Sequence, residues 1–259
     1  MKILIVSGFL GAGKTTFIKR LARNVDQRFA ILENEYGAAG IDGARLGQNR
    51  QGTQKNVWEM TEQCICCIGK KDFAASVLTI ANVVDPEYLI VEPTGVGSLA
   101  RIIENLRQIE YERIQLLSPV TIVDVYSYRR YMAEYPELYQ DQIRSADTII
   151  VSKTEACQAE EKQRIQKFLQ EINPQAKIIT DYASTMTRED YQSLLLGGRY
   201  EKEVQDTQSG EKMPETFSFE NIRMEAPETL WCFLEHSRSV WKYHPCKRTV
   251  RSRRPVSPI

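Results

Sequence analysis

Apolar runs of four or five residues alternate with amphipathic stretches through the first 196 residues, which is the pattern of a parallel sheet covered by helices. The runs predict strands at Ile3 to Ser7, Phe29 to Glu33, Asn56 to Met60, Tyr88 to Glu92, Val120 to Asp124, Thr148 to Ser152 and Lys177 to Thr180. Apolar residues at helical spacing predict helices over Lys14 to Asn24, Asp72 to Val83, Ser98 to Gln108, Glu137 to Ala146 and Gln158 to Ile172. Most of the strands are unbroken Ile/Val/Leu runs, so both of their faces should be buried. The fold class expected is α/β: a mostly parallel sheet with helices on both faces and a short C-terminal appendage. In such sheets ligands bind at the carboxyl ends of the strands.

The texture changes after Leu196. Residues 197–216 open on Gly197-Gly198 and continue as a charged stretch without helical or strand period, which reads as a linker. Residues 217–259 read as a short C-terminal segment. Its end, from Arg238 to Arg254, carries seven Lys or Arg and no acidic residue, as a solvated tail would. The domains expected are thus 1–196, a linker at 197–216, and 217–259.

Composition narrows the partners. A chain of 259 residues is long enough for one large α/β core. Its 34 basic residues match 34 acidic ones, giving no electrostatic reason to expect nucleic acid or a membrane surface. No stretch approaches the ~18 uncharged apolar residues of a membrane span. The apolar start runs directly into a glycine loop instead of a signal-peptide cleavage site, so the expected location is the cytoplasm.

That loop carries the firmest chemical signal. Residues 8 to 15 read Gly8-Phe-Leu-Gly-Ala-Gly-Lys14-Thr15 between a strand and a helix. Gly8, Gly11 and Gly13, with Ala12 among them, allow a backbone whose N–H groups converge on phosphate oxygens, and the helix N-terminus adds its positive dipole end. Lys14 reaches the β- and γ-phosphates, Thr15 is placed to ligate Mg²⁺, and Thr16 can reach the α-phosphate. The fourth strand ends in Glu92-Pro-Thr94-Gly95, where a carboxylate can face Mg²⁺ and its waters and the Gly95 N–H can contact the γ-phosphate. With Lys14, these two are the expected catalytic residues, and the α/β fold expected is that of a P-loop NTPase.

The base pocket falls on Ser152-Lys153-Thr154-Glu155. Lys153 can lay its stem over a purine, and Glu155 offers the paired acceptor oxygens that guanine needs for N1–H and its exocyclic amine. GTP is therefore the expected nucleotide. ATP chemistry as a small-molecule kinase is the alternative, since the same phosphate loop serves kinases.

Three of six cysteines cluster as Cys64-Ile65-Cys66-Cys67, between the loop that follows the second strand and the Glu92 segment. Both segments are expected to respond to nucleotide. Three thiols at this spacing can supply three soft ligands to Zn²⁺ or a similar ion, with Glu33 as an oxygen ligand. A redox pair and inert packing are the other readings of these thiols.

The order of motifs resembles the CobW family of metallochaperone GTPases, related to the HypB and UreG nickel chaperones. It runs Gly-Phe-Leu-Gly-Ala-Gly-Lys-Thr-Thr, then Glu33-Asn-Glu-Tyr-Gly37 with Gly40-Ile41-Asp42, Cys-Ile-Cys-Cys, Glu92-x-Thr-Gly95, and Gln142-Ile143 before Ala146-Asp147. The resemblance covers residues 1 to 196. It implies GTP hydrolysis coupled to loading or release of a metal ion, often Zn²⁺ or Co²⁺, for a client metalloprotein, with Cys66 and Glu33 as metal ligands; intrinsic turnover should be slow, because no arginine can be assigned as a finger in cis. Cys64 and Cys67 complete the candidate metal set, and Asp42 joins the nucleotide-binding set. A nucleotide-dependent homodimer stays open. The chain departs from the family at Gly37-Ala38-Ala39, where a glutamate is common, at Ser152 and Glu155, and in having two histidines where a longer, histidine-rich C-terminal domain is usual. A nucleotide-gated activator that carries no metal is the other function that fits.

Overall fold

A computed structural model describes residues 1–27, 29–35, 57–63 and 70–204, apart from the side chains of 33–35, 57–63 and 70–72. Asp42, Cys64, Cys66, Cys67 and the segment 217–259 lie outside the described residues. The chain divides into two units, Met1–Ser218 and Phe219–Ile259, and every element below belongs to the first.

The strands are β1 (Lys2–Gly8), β2 (Phe29–Glu35), β3 (Val57–Gln63), β4 (Tyr88–Glu92), β5 (Gln115–Leu116), β6 (Val120–Asp124), β7 (Thr148–Ser152) and β8 (Lys177–Ile179). They form one sheet in the order β3-β2-β4-β1-β6-β7-β8, with β5 paired to β1, and every strand pairing is parallel. The α/β sheet read from the apolar runs is thus the observed architecture. The helices are α1 (Lys14–Asn24), α2 (Lys70–Val83), α3 (Leu99–Arg107), α4 (Tyr128–Glu134), α5 (Pro136–Arg144), α6 (Ala159–Ile172), α7 (Tyr182–Thr185) and α8 (Arg188–Leu196). Among the described residues no helix is long and apolar enough to cross a membrane.

Strand alternation divides the interior. Ile3 and Ile5 of β1, Ala30 and Leu32 of β2, and Leu89 and Val91 of β4 pack with Phe73, Val77 and Ile80 of α2 and Ile103 and Leu106 of α3. The intervening Leu4, Val6, Ile31 and Ile90 pack on the opposite side with Phe17, Ile18 and Leu21 of α1 and Tyr191 and Leu195 of α8. Beyond β6, Val123, Ile149 and Val151 meet Tyr131, Leu138 and Ile143 of α4 and α5, and Ile165 and Leu169 of α6. Both faces of the central strands are therefore dry, as their unbroken apolar runs require. The chain leaves β1 toward β2, β3 and β4, and later fills the other side with β6, β7 and β8. That places a topological switch point at the carboxyl end of β1.

Part of the stretch expected as a linker packs on this domain. The Tyr200 amide donates to the Leu116 carbonyl at 2.9 Å, its hydroxyl donates to the Ser145 carbonyl at 2.8 Å, and Val204 joins the α2/α3 core. A charged neighbourhood hides this in the sequence, because one buried aromatic leaves no period. Burial, with the Asp147 charge adding and Arg107 opposing, pushes the Tyr200 hydroxyl up to about 12 from an ordinary 10.0. A tyrosine that titrates later in the folded chain favours folding fully below pH 10, and that share is lost as pH rises from 10 toward 12. Tyr200→Phe should flatten the alkaline limb of stability in this window and cost about 1 kcal/mol at pH 7 for the lost hydrogen bond, both measurable by urea unfolding.

Candidate functional site

At the switch point the chain turns from β1 into α1 through a loop that side chains would obstruct. Gly8 has φ +144°, and a Cβ there would lie 2.4 Å from the Ile122 carbonyl oxygen on β6. Gly11 and Gly13 also take positive φ, at 71° and 102°, which glycine alone adopts cheaply. Lys14 opens α1, is buried, and donates from Nζ to the Gly8 carbonyl at 3.0 Å, so its ammonium arches over the loop. Phe9 fixes the loop from below: its ring packs on Tyr131 at 4.2 Å and near Tyr139 at 5.6 Å, and the Tyr131 hydroxyl donates to the Leu10 carbonyl at 3.1 Å. Burial raises the Tyr131 and Tyr139 hydroxyls above their ordinary range, and Tyr131 remains a neutral donor.

The expected partners of the loop converge on it. Thr15 Oγ1 lies 3.0 and 3.2 Å from the two carboxylate oxygens of Glu92, which ends β4 one strand away and is nine-tenths buried. Gly95 presses on the loop so closely that a Cβ would stand 2.5 Å from the Leu10 amide nitrogen and 2.9 Å from its Cα. Ser152 Oγ, at the end of β7, donates to the Ala12 carbonyl at 2.6 Å. Thr16 is exposed on the first turn of α1. Glu33 on β2 is the register partner of Glu92 on β4 and of Thr61 on β3.

The turn after β7 is set up electrostatically. Lys153 has φ 61°, a left-handed conformation uncommon outside glycine, and its Nζ pairs with Asp124 Oδ2 at 2.6 Å. Asp124 ends the neighbouring strand β6, is buried, and accepts also from the Tyr126 amide and the Ser127 hydroxyl at 2.9 Å each. Held at its tip, the lysine leaves its stem as one wall of the turn. Glu155 is exposed at the same turn, and Thr154 beneath it is buried. At the end of β8, a bond from Lys162, followed by one from Thr154, holds the Asp181 carboxyl below the usual range. Among the described residues no group of three His, Cys, Asp or Glu is gathered for a metal ion.

Asp124 was missed in the sequence, although the signal that marked Glu92 marks it too: an acidic residue closing an apolar strand, here Val-Thr-Ile-Val-Asp124 beside Leu-Ile-Val-Glu92. The roles of Asp141 and Gln142 were missed as well. From consecutive positions on α5, Asp141 accepts from the Leu99 amide at 2.7 Å and Gln142 donates to the Gly95 and Gly97 carbonyls at 3.2 and 3.0 Å.

A glycine loop between β1 and α1, a lysine arched over it, and two strand-terminal carboxylates beside it define a phosphate-loop nucleotide-binding fold. The family described as CobW/HypB/UreG, nucleotide-binding domain, matches residues 2–180, and the chain belongs to it. It is 30% identical over 178 residues to the zinc chaperone YeiR of Escherichia coli, covering 68% of this chain and 53% of YeiR. It is 27% identical over 194 residues to the zinc chaperone CobW of Pseudomonas aeruginosa, covering 64% of this chain and 52% of that protein. The chain thus spans about half the length of these curated relatives. Among solved structures, Zn(II)-bound YjiA GTPase from E. coli superposes with a TM-score of 0.53 at 20% identity, over 78% of this chain and 66% of that one, a likeness of fold.

Proposed function

We propose that this protein is a GTP-hydrolysing metallochaperone that couples its nucleotide state to the handling of a transition metal, zinc before cobalt, for a client metalloprotein in the cytoplasm. The observation that carries the reading is the meeting of Thr15 and Glu92 at the phosphate loop, since Glu92 is also the register partner of Glu33. One strand end thereby serves the nucleotide while the next bears a proposed metal ligand.

The residues have definite work in this mechanism. Gly8, Gly11, Ala12, Gly13, Lys14 and Thr16 bind the phosphates through backbone N–H groups, an ammonium and a hydroxyl. Lys14 gathers negative charge on the β- and γ-oxygens as water attacks the γ-phosphorus and the bond from that phosphorus to the β–γ bridging oxygen breaks, releasing GDP and inorganic phosphate. Gly95 offers its N–H to the γ-phosphate. Ser152, Lys153 and Glu155 hold guanine, with Asp42 completing the nucleotide set. The hydroxyl–carboxylate pair of Thr15 and Glu92 fits a hard cation, and Mg²⁺ held there would neutralise phosphate charge. Cys64, Cys66 and Cys67, with Glu33, receive the cargo metal. The relatives named as zinc chaperones favour zinc.

Coupling of this kind is reciprocal: a metal that prefers the GTP form must tighten GTP by the same factor, typically about 5- to 150-fold. Zinc titrations of the full chain should give tighter binding with a non-hydrolysable GTP analogue than with GDP. In Cys66→Ser that difference should vanish. Equal zinc affinity across both nucleotides and the variant would sink the coupling, and client activation retained by a Cys64/Cys66/Cys67 triple serine variant would favour the metal-free activator.

A further inference from the structure

Gln142 stands at an unusual position for a buried amide. It is 1% exposed. Its Nε2 donates to two carbonyls of the loop after β4, Gly95 at 3.2 Å and Gly97 at 3.0 Å, while its Oε1 is buried with no hydrogen-bond partner among the described residues. Rotating the amide would set Oε1 against those two carbonyl oxygens, so the donor side must face the loop. On the far side of the loop Gly95 rests on the Leu10 backbone of the phosphate loop. The Gly95 peptide is therefore clamped between the phosphate loop and one side-chain amide.

The clamp is itself anchored. Thr121 Oγ1 on β6 donates to the Gln142 carbonyl at 2.8 Å, fixing α5 to the sheet. One residue earlier, Asp141 accepts from the Leu99 amide at 2.7 Å and the Ala100 amide at 3.4 Å, holding the start of α3. Both ends of the 95–100 segment are thus held from neighbouring positions of one helix, by carbonyl acceptance at one end and amide donation at the other.

We propose that Gln142 is a two-sided latch for this loop: its amide donor fixes the Gly95 peptide against the phosphate loop, and its idle acceptor gives a loop N–H a second resting place when the nucleotide changes. Among the described residues this buried amide uses its donor and leaves its acceptor without a partner, and a loop peptide turned toward Oε1 would satisfy it. Gln142 touches no nucleotide in this scheme and acts through Gly95 as a positioning residue. The inference rests on the GTPase reading above.

Two measurements on the full chain test it, with Gln142→Met, which keeps the length and loses both functions, and Gln142→Leu, which loses both in a shorter side chain. The first needs no nucleotide. Amide exchange over residues 94–100 should quicken by about tenfold or more in both variants while β1 amides are unchanged. The second compares binding of a fluorescent non-hydrolysable GTP analogue with that of GDP, alongside turnover. Both variants should lose about tenfold in kcat and most of the preference for the analogue, with GDP affinity within about twofold of wild type, since only the γ-phosphate contact depends on Gly95. Unchanged exchange overturns the latch. Quickened exchange with wild-type kcat and analogue preference overturns its positioning role. A wild-type chain that binds guanine nucleotides without hydrolysing them would overturn the GTPase reading separately, and the exchange and analogue-preference arms would still decide for or against the latch.

Discussion

Lys14→Ala should lower GTP turnover by about 10²- to 10³-fold, the cost of removing one preorganised charge from a phosphoryl-transfer site. The ammonium is buried and already directed over the loop by its bond to the Gly8 carbonyl, so little reorganisation is needed when phosphate charge develops. Without it, the loop keeps its N–H groups but loses the mobile charge between the β- and γ-oxygens. Nucleotide affinity should fall too, and more for GTP than for GDP, because the γ-phosphate carries the additional charge. Measuring kcat, and both dissociation constants by fluorescence titration, checks the two together. A variant that hydrolyses GTP at the wild-type rate would remove Lys14 from the mechanism. Thermal unfolding should be nearly unchanged, which separates this loss from misfolding.

Gly95→Ala should be comparably severe for a different reason. A methyl group at this position meets backbone, 2.5 Å from the Leu10 nitrogen and 2.9 Å from its Cα, and neither atom can move aside as a side chain could. The loop after β4 must therefore retreat from the phosphate loop by about an ångström, and misplacement on that scale can cost about 100-fold in rate. GDP binding should survive, since the phosphate loop itself is untouched. The expected signature is lost turnover and lost preference for the GTP analogue with GDP affinity preserved. Full activity in Gly95→Ala would mean that this close approach has no part in catalysis.

The phosphate loop was legible in the sequence because its geometry is local. Gly8, Gly11, Gly13 and Lys14 lie within seven positions, and each is needed for a backbone reason or a charge reason that spacing displays. Strands β4, β6 and β7 were legible to their last residue, since an apolar run buried on both faces stops where the chain must leave the sheet. Other features were hidden. Strand β5 is two residues long, too short to show a period. Helix α4, Tyr-Arg-Arg-Tyr-Met-Ala-Glu, buries Tyr128 and Tyr131 through rings that pass for ordinary polar positions. Helix α8 begins at a capping box, Thr187 with Asp190, but its apolar face is narrow, resting on Tyr191 and Leu195. The pairing of Lys153 with Asp124 depends on β6 and β7 being neighbours, and the grip of Gln142 depends on α5 lying beside the loop after β4. Those are facts of topology that no window of the chain contains.

In the coupling proposed above, the ladder between β2 and β4 would limit how a signal passes from nucleotide to metal. Five rungs, from Phe29 with Tyr88 to Glu33 with Glu92, hold the strands in register, and successive residues from Phe29 to Leu32 and from Tyr88 to Val91 belong to opposite cores. A slip by one residue would turn Ala30 and Leu32 out of one core and Ile31 out of the other, so the strands cannot slide by small steps. The sheet works as a ruler: it sets the backbone of Glu33 one strand spacing, about 4.8 Å, from that of Glu92. Information leaving the phosphate loop must then travel beyond the last rung, as a change in where the loops go.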